Sequence, residues 1–134
     1  MIVLDASVLV ELLLETSVGH AVAARIADPS LGLHVPHVID LEVTQALRRY
    51  AREGDINPSD AATALANLRE LDLQRHPHDQ LLDRVWALRE NLSAYDAIYI
   101  ALAEVLDTKV LTCDGRMARA PGALRRIELL DVNG

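Results

Sequence analysis

Four carboxylic acids in this sequence stand where a folded chain could gather them. Asp5 closes the apolar run "MIVLD", and Asp114 closes "KVLTCD". Glu42 comes shortly after the run "LHVP", and Asp96 lies in "SAYDAIYIALAE" beside the apolar stripe Ile98, Ala101, Leu102 and Val105. Carboxylates brought together repel: two unit charges about 4 Å apart cost roughly 4 kcal/mol at an effective dielectric near 20. A fold retains such a cluster where a cation neutralises it or where one acid keeps its proton. Oxygen donors without His or Cys suit Mg²⁺ or Mn²⁺. Ions of that kind lower the pKa of a bound water and stabilise the charge of an in-line phosphoryl displacement. The hydroxyls of Ser7 and Thr112, two residues from Asp5 and Asp114, are spaced to orient waters of such a centre.

Each acid also has a purely structural use. Asp5 can cap a helix beginning near Ala6. Ser93 and Asp96 have the spacing of a capping box. Asp114 before Gly115 fits a turn, and Glu42 fits the positive end of a helix dipole. What separates the two readings is whether the elements carrying the acids converge.

"MIVLD" reads as a strand buried on both faces, followed by helical spacing through Val8, Leu9, Leu12 and Leu13. A helix over about Val18 to Ala27 stops at "DPS". "LHVP" is a second strand, and a long helix with Ile39, Val43, Ala46, Leu47 and Tyr50 on one face ends near Gly54. Asn57 and Pro58 start another helix, "LDLQRHP" is a third strand, and Gln80 to Glu90 and Ala94 to Leu106 are helical. "KVLTCD" is a strand, a short basic helix follows Gly115, and "RIELLDV" is the last strand. Strands alternating with helices imply a parallel sheet covered on both faces, one α/β domain over residues 1–134. Sites in such sheets form beyond the carboxyl ends of the strands, and that is the edge to which all four acids map.

The totals agree with an enzyme-sized domain. The 134 residues suit a single core, and a hydrophobic fraction of 51% argues against disorder. With 3% aromatics and no Phe, Leu, Val, Ile and Ala must fill that core, and having only Tyr50, Tyr95, Tyr99 and Trp86 argues against an interleaved base-stacking platform. A net charge of −7 argues against coating nucleic acid through a basic surface, though not against holding phosphate through metal. Lys109 is the sole lysine; the arginine bias suits bidentate phosphate contacts, and a GC-rich genome gives the same bias. Cys113 is alone, so no internal disulfide or zinc–thiolate cage can form. The first residues lack a basic leader and are broken by Asp5, Glu11 and Glu15, which is neither a signal peptide nor a membrane span. A reducing cytoplasm is the expected compartment.

In order and spacing, "VLDAS", "EVTQAL", "SAYDAIYIALAE" and "VLTCDGRMARA" resemble the PIN-domain ribonucleases, and most closely the VapC-like toxins of type II toxin–antitoxin (VapBC) pairs. The likeness runs from Ile2 to about Leu130. It implies a Rossmann-like, three-layer α/β/α sandwich around a central parallel sheet. It also implies a Mg²⁺-dependent endoribonuclease, with Mn²⁺ as an alternative, whose metal-binding and catalytic quartet is Asp5, Glu42, Asp96 and Asp114. Thr112 and Ser7 are the polar residues that accompany it. Homodimerisation and a tightly bound VapB-like antitoxin are implied as well. Met117 departs mildly from the Leu or Phe of many relatives.

In the mechanism this implies, metal-activated water attacks the scissile phosphorus and leaves 5′-phosphate and 3′-hydroxyl ends. Arg116, two residues past Asp114, is expected at the rim of the site against substrate phosphate. Arg48, Arg49 and Arg52 form one further basic cluster, and Arg116, Arg119, Arg125 and Arg126 another. A haloacid-dehalogenase-type phosphatase is excluded, because Ser7 stands where its second Asp belongs. A response-regulator receiver is excluded because neither "VLDAS" nor "LQRHP" supplies its acids. A catalytically inactive PIN-like scaffold for protein or RNA and a DNA-cutting nuclease are the alternatives. His20, His34 and His37 read as surface or loop residues, and His76 and His78, flanking Pro77, lack the further soft ligands of a metal clip. The segments Leu12 to Val18 and Ala61 to Leu68 fit either core or partner surfaces.

Overall fold

The apolar run after Met1 forms β1 (Ile2–Leu4), with all three side chains buried. In the computed structural model, which describes residues 1–130, four more strands join it: β2 (Leu33–Pro36), β3 (Leu73–His76), β4 (Val110–Thr112) and β5 (Ile127–Leu129). All pairings are parallel, in the order β3-β2-β1-β4-β5. The chain thus builds outward from β1 on one side, through β2 and β3, then returns to β1's other edge with β4. That reversal puts the topological switch at β1, and Asp5 is the residue leaving it.

The helices are α1 (Ala6–Leu13), α2 (Ser17–Arg25), α3 (Ile39–Arg52), α4 (Pro58–Glu70), α5 (Leu82–Ala87), α6 (Ala94–Leu106) and α7 (Gly115–Arg119). They flank the sheet as the expected α/β sandwich. Local chemistry starts several of them: Asn57 Oδ1 accepts from the Asp60 backbone N–H with Pro58 in the first turn, and Ser93 Oγ accepts from Asp96 N–H. The core is almost wholly aliphatic, and Tyr99 is its one large buried aromatic side chain. Among the described residues, no single helix is long and apolar enough to cross a membrane.

The structure departs from the sequence-based expectation in four places. α6 was expected to bury one stripe including Val105. Instead every residue from Ala97 to Ala103 is buried and Val105 is 68% exposed, because α6 lies across β1, β2 and β4 while α5 covers its other side. The expected helix over Gln80–Glu90 is a 3₁₀ turn (Asp79–Leu81) and the short α5, after which the chain turns to place Leu88 and Leu92 in the core. The last strand is Ile127–Leu129, shorter than "RIELLDV", whose Asp131 and Val132 lie outside the described residues.

The fourth departure is His34, which is not a surface residue. It sits on the interior strand β2, only 6% exposed, with Nδ1 2.9 Å from His76 Nε2 on β3. Burial, with His76 and the N-terminal amine adding, holds His34 below the usual imidazole range. His78 turns the other way, edge-on to His37.

Candidate active site

Asp5 is both a helix cap and the centre of a hydrogen-bonded cluster. Its Oδ1 accepts from the Val8 backbone N–H at 3.2 Å, which caps α1. The same oxygen accepts from Ser7 Oγ at 2.6 Å, and Oδ2 accepts from Thr112 Oγ1 at 2.5 Å. Oδ1 therefore has both lone pairs engaged, while Oδ2 keeps one. The two hydroxyls are held in turn from behind: Ser7 Oγ accepts from Cys113 N–H at 3.0 Å and Thr112 Oγ1 from Asp114 N–H at 2.9 Å. β1 and β4, paired side by side, are tied together at their carboxyl ends through this carboxylate.

The other acids arrive on helix starts. Asp114 caps α7 by accepting from Arg116 N–H, and its second oxygen lies 3.4 Å from the Arg116 guanidinium, which is otherwise 82% exposed. Asp96 stands in the first turn of α6, where its backbone N–H donates to the Ser93 hydroxyl. Glu42, in the first turn of α3, accepts from the Tyr99 hydroxyl at 2.5 Å.

The charges of all four acids act on one another. Burial raises the Asp5 carboxyl above its ordinary value against the pull of Ser7, Thr112 and Val8, and Asp114 adds to the rise. Burial likewise raises Glu42, with Asp96 and Asp5 adding and the Tyr99 bond opposing. Asp96 is raised by burial and then by Asp114, with Ser93 and Arg116 opposing. Tyr99 is driven far above the phenol range by burial and by Glu42, so its hydroxyl stays a donor. The four acids thus lie within electrostatic reach of one another, with Arg116 beside Asp114 and acting on Asp96.

Tyr99 was not singled out. Its signal was its place three residues after Asp96, on the same face of the helix, as a hydroxyl amid apolar neighbours. Ser7 and Thr112, expected to orient waters, spend their hydroxyl hydrogens on Asp5 instead.

Among the described residues, no three His, Cys, Asp or Glu side chains are drawn together closely enough to hold a metal ion as they stand. Tyr99 bonds Glu42 and Arg116 contacts Asp114. The donor chemistry nonetheless fits a hard divalent cation: only carboxylates, three of them pushed toward the neutral form by burial and mutual repulsion, with one exposed Arg in partial compensation.

Stability should show the strain of these charges. Asp5, Glu42 and Asp96 have folded-state values above their unfolded ones. Their contribution therefore favours the fold at acid pH and is lost as pH rises through the raised values. With EDTA present, Asp5→Asn is expected to raise the neutral-pH melting temperature by roughly 3–5 °C, about 1 kcal/mol, and the gap should close at acid pH. Thermal melts at both pH values check this; a variant that melts below the parent at neutral pH would show that the hydrogen bonds to Asp5 outweigh its charge.

The PIN domain matches this chain over residues 2–123. Ribonuclease VapC9 of Mycobacterium tuberculosis is 41% identical over 119 residues, covering 88% of this chain and 89% of the relative. Among solved structures, the fold is similar to the Mycobacterium tuberculosis VapC20 toxin, described as cleaving the sarcin–ricin loop, with a TM-score of 0.68 and 14% identity over 88% of this chain and 93% of that one. A toxin–antitoxin complex from Klebsiella pneumoniae contains a chain alike at a TM-score of 0.63 and 16% identity, covering 96% of each. With one domain description spanning both ends of the acid quartet and a relative aligned along most of both chains, this chain belongs to the PIN-domain family, among its VapC-like proteins.

Proposed function

We propose that this chain is a metal-dependent endoribonuclease that acts as the toxin of a toxin–antitoxin pair. The observation that carries the reading is the convergence of Asp5, Glu42, Asp96 and Asp114 at the carboxyl edge of the sheet, around the switch point at β1, where burial and neighbouring acids raise Asp5, Glu42 and Asp96. Its relative VapC9 is named a ribonuclease, which supports RNA as the substrate.

Asp5, Asp96, Asp114 and Glu42 would hold Mg²⁺, or Mn²⁺ in its place. When bound, such an ion supplies an acidified water and neutralises charge on the phosphate in flight. The chain's own residues prepare that chemistry. Ser7 and Thr112 fix the plane of the Asp5 carboxylate and leave one lone pair on Oδ2 facing the site. Tyr99 fixes Glu42 through a hydroxyl that stays protonated. Asp96, half-buried in the first turn of α6, presents its carboxylate as a further ligand. Arg116 exchanges its weak contact with Asp114 for the substrate phosphate. Hydrolysis by water leaves 5′-phosphate and 3′-hydroxyl ends.

The chain acts as one domain in the cytoplasm, as a homodimer held inactive by a VapB-like antitoxin. The similarity to a toxin–antitoxin complex chain supports the antitoxin, and a cleft of unbalanced carboxylates suits a partner that brings a cation to it.

The test is incubation of total bacterial RNA, and of DNA in parallel, with the antitoxin-free protein in Mg²⁺, Mn²⁺ or EDTA. Discrete RNA fragments with 5′-phosphate ends that require metal are expected. Fragments ending in a 2′,3′-cyclic phosphate would overturn the water-attack mechanism. No cleavage by well-folded protein would favour a non-catalytic scaffold, and cutting of DNA alone would replace the substrate.

A further inference from the structure

One face of α3 carries both signs of charge. Glu42 joins the acids from its first turn, and Arg49, seven residues on, points within about 20° of the same direction and lies ~11 Å further along the axis. Between α1 and α3 a cleft of about 250 Å³ opens beside Ser7, Glu11, Arg49, Tyr50 and Cys113. Ser7 is the residue whose hydroxyl holds Asp5, and Cys113 immediately precedes Asp114, so this cleft adjoins the acids through their neighbours. Arg49 also lines a second hollow of about 360 Å³ with Gln45, Arg48, Arg52 and Glu53. The two spaces therefore share a wall and lead away from the carboxylates along α3.

The arginines of this path differ from most others in the chain. Arg25, Arg75, Arg84 and Arg126 are each tied to a carboxylate. Among the described residues Arg48, Arg49 and Arg52 form no ion pair, although the chain as a whole carries a net charge of −7. Position in the last turn of α3 lets Arg49 and Arg52 favour the helix dipole from any face; it does not account for three unpaired guanidinium groups along the outlet of an acidic cleft. The Arg49 guanidinium lies 5.4 Å from the centre of the Tyr50 ring, a cation–π contact that leaves its fork open to a bidentate partner.

We propose that the cleft between α1 and α3, with the arginine hollow beyond it, is a phosphate track for single-stranded RNA, in which Arg49 and Arg52 grip backbone phosphates to one side of the scissile bond. The inference rests on the ribonuclease reading and adds where the strand runs. The track answers a problem that the acids create. Carboxylates repel the polyanion they must cut, and guanidinium groups about two to three helical turns away capture the flanking phosphates and deliver the scissile one. Because those contacts are to backbone, they set position and polarity of the strand rather than sequence.

The experiment uses the full chain bearing Asp96→Asn, so that RNA is bound and not cut. A fluorescein-labelled, mixed-sequence single-stranded RNA is titrated over a series of KCl concentrations, with and without Arg49→Gln and Arg52→Gln together. The pair is expected to weaken binding at least tenfold at low salt. It should also flatten the slope of log affinity against log salt by about 1.4, two single-strand phosphate contacts at roughly 0.7 each. Arg69→Gln, on exposed α4, is the matched control and should change neither. An unchanged affinity and slope would overturn the track and leave the cleft to a protein partner. Equal losses in the Arg69 control, or no RNA binding by the Asp96→Asn chain, would overturn it as well. The ribonuclease reading fails on a separate readout, the absence of metal-dependent fragments from the unaltered chain.

Discussion

Asp96→Asn is expected to lower metal-dependent RNA cleavage by at least ~10³-fold, about 4 kcal/mol of transition-state stabilisation, while leaving the fold intact. The reasons lie in two different atoms of one residue. The backbone N–H of Asp96 donates to the Ser93 cap hydroxyl, and an asparagine keeps that bond. The carboxylate lies near Asp114, whose charge raises it, and near Glu42, which it raises in turn. Asparagine fills the same space and keeps an acceptor, but it removes the charge that would hold a divalent ion. Single-turnover cleavage of a defined RNA, with circular dichroism melts on the same preparations, separates the two effects. Full activity in the variant would remove Asp96 from the reaction; lost activity with a collapsed melting transition would mean that the residue is structural. An unchanged or slightly higher melting temperature with no cleavage is the expected pair.

Gly19→Ala is expected to be among the most damaging single changes in the chain, although it lies outside the acid cluster. The chain bends by 112° between α1 and α2, and at Gly19 the two helices meet backbone to backbone. A Cβ there would sit 2.0 Å from the Glu11 carbonyl oxygen and 2.6 Å from its carbon, neither of which belongs to a side chain that can swing aside. One helix must move, at a cost of about 3 kcal/mol or more, roughly ten degrees in melting temperature for a chain of this size. Cleavage should fall with stability, because α1 begins at Asp5 and carries Ser7. Gly54→Ala is the contrasting variant. Its φ of +80° penalises alanine, but nothing stands within 4 Å of the added atom, so about 1 kcal/mol is expected. A Gly19→Ala protein that melted within a degree of the parent would refute the close contact.

Much of the architecture was legible because it is encoded locally. "MIVLD" and "KVLTCD" announced buried strands ending in acids, and Asn57-Pro58 and Ser93 announced helix starts through bonds that span only three residues. Alternation of strand and helix then fixed a parallel sheet, and a parallel sheet gathers its strand ends on one edge. The acids followed from that without any view of their contacts.

Other features were decided where the chain meets itself far from home. His34 passed for a surface residue because nothing near it in sequence shows that β2 lies between β1 and β3, or that His76 will stand beside it. α6 looked half-exposed because one helix cannot reveal that α5 will cover its outer side. The partnership of Tyr99 with Glu42 joins residues 57 apart, and that of Thr112 with Asp5 joins residues 107 apart. The sequence by itself determined which elements form and which edge of the sheet carries the acids, since apolar periodicity and caps act within a turn or a strand. Only the tertiary structure decided which lone pairs the acids keep, which hydroxyls restrain them and which arginines stay unpaired, because hydrogen bonds and charge reach over a few ångströms of space whatever the distance along the chain.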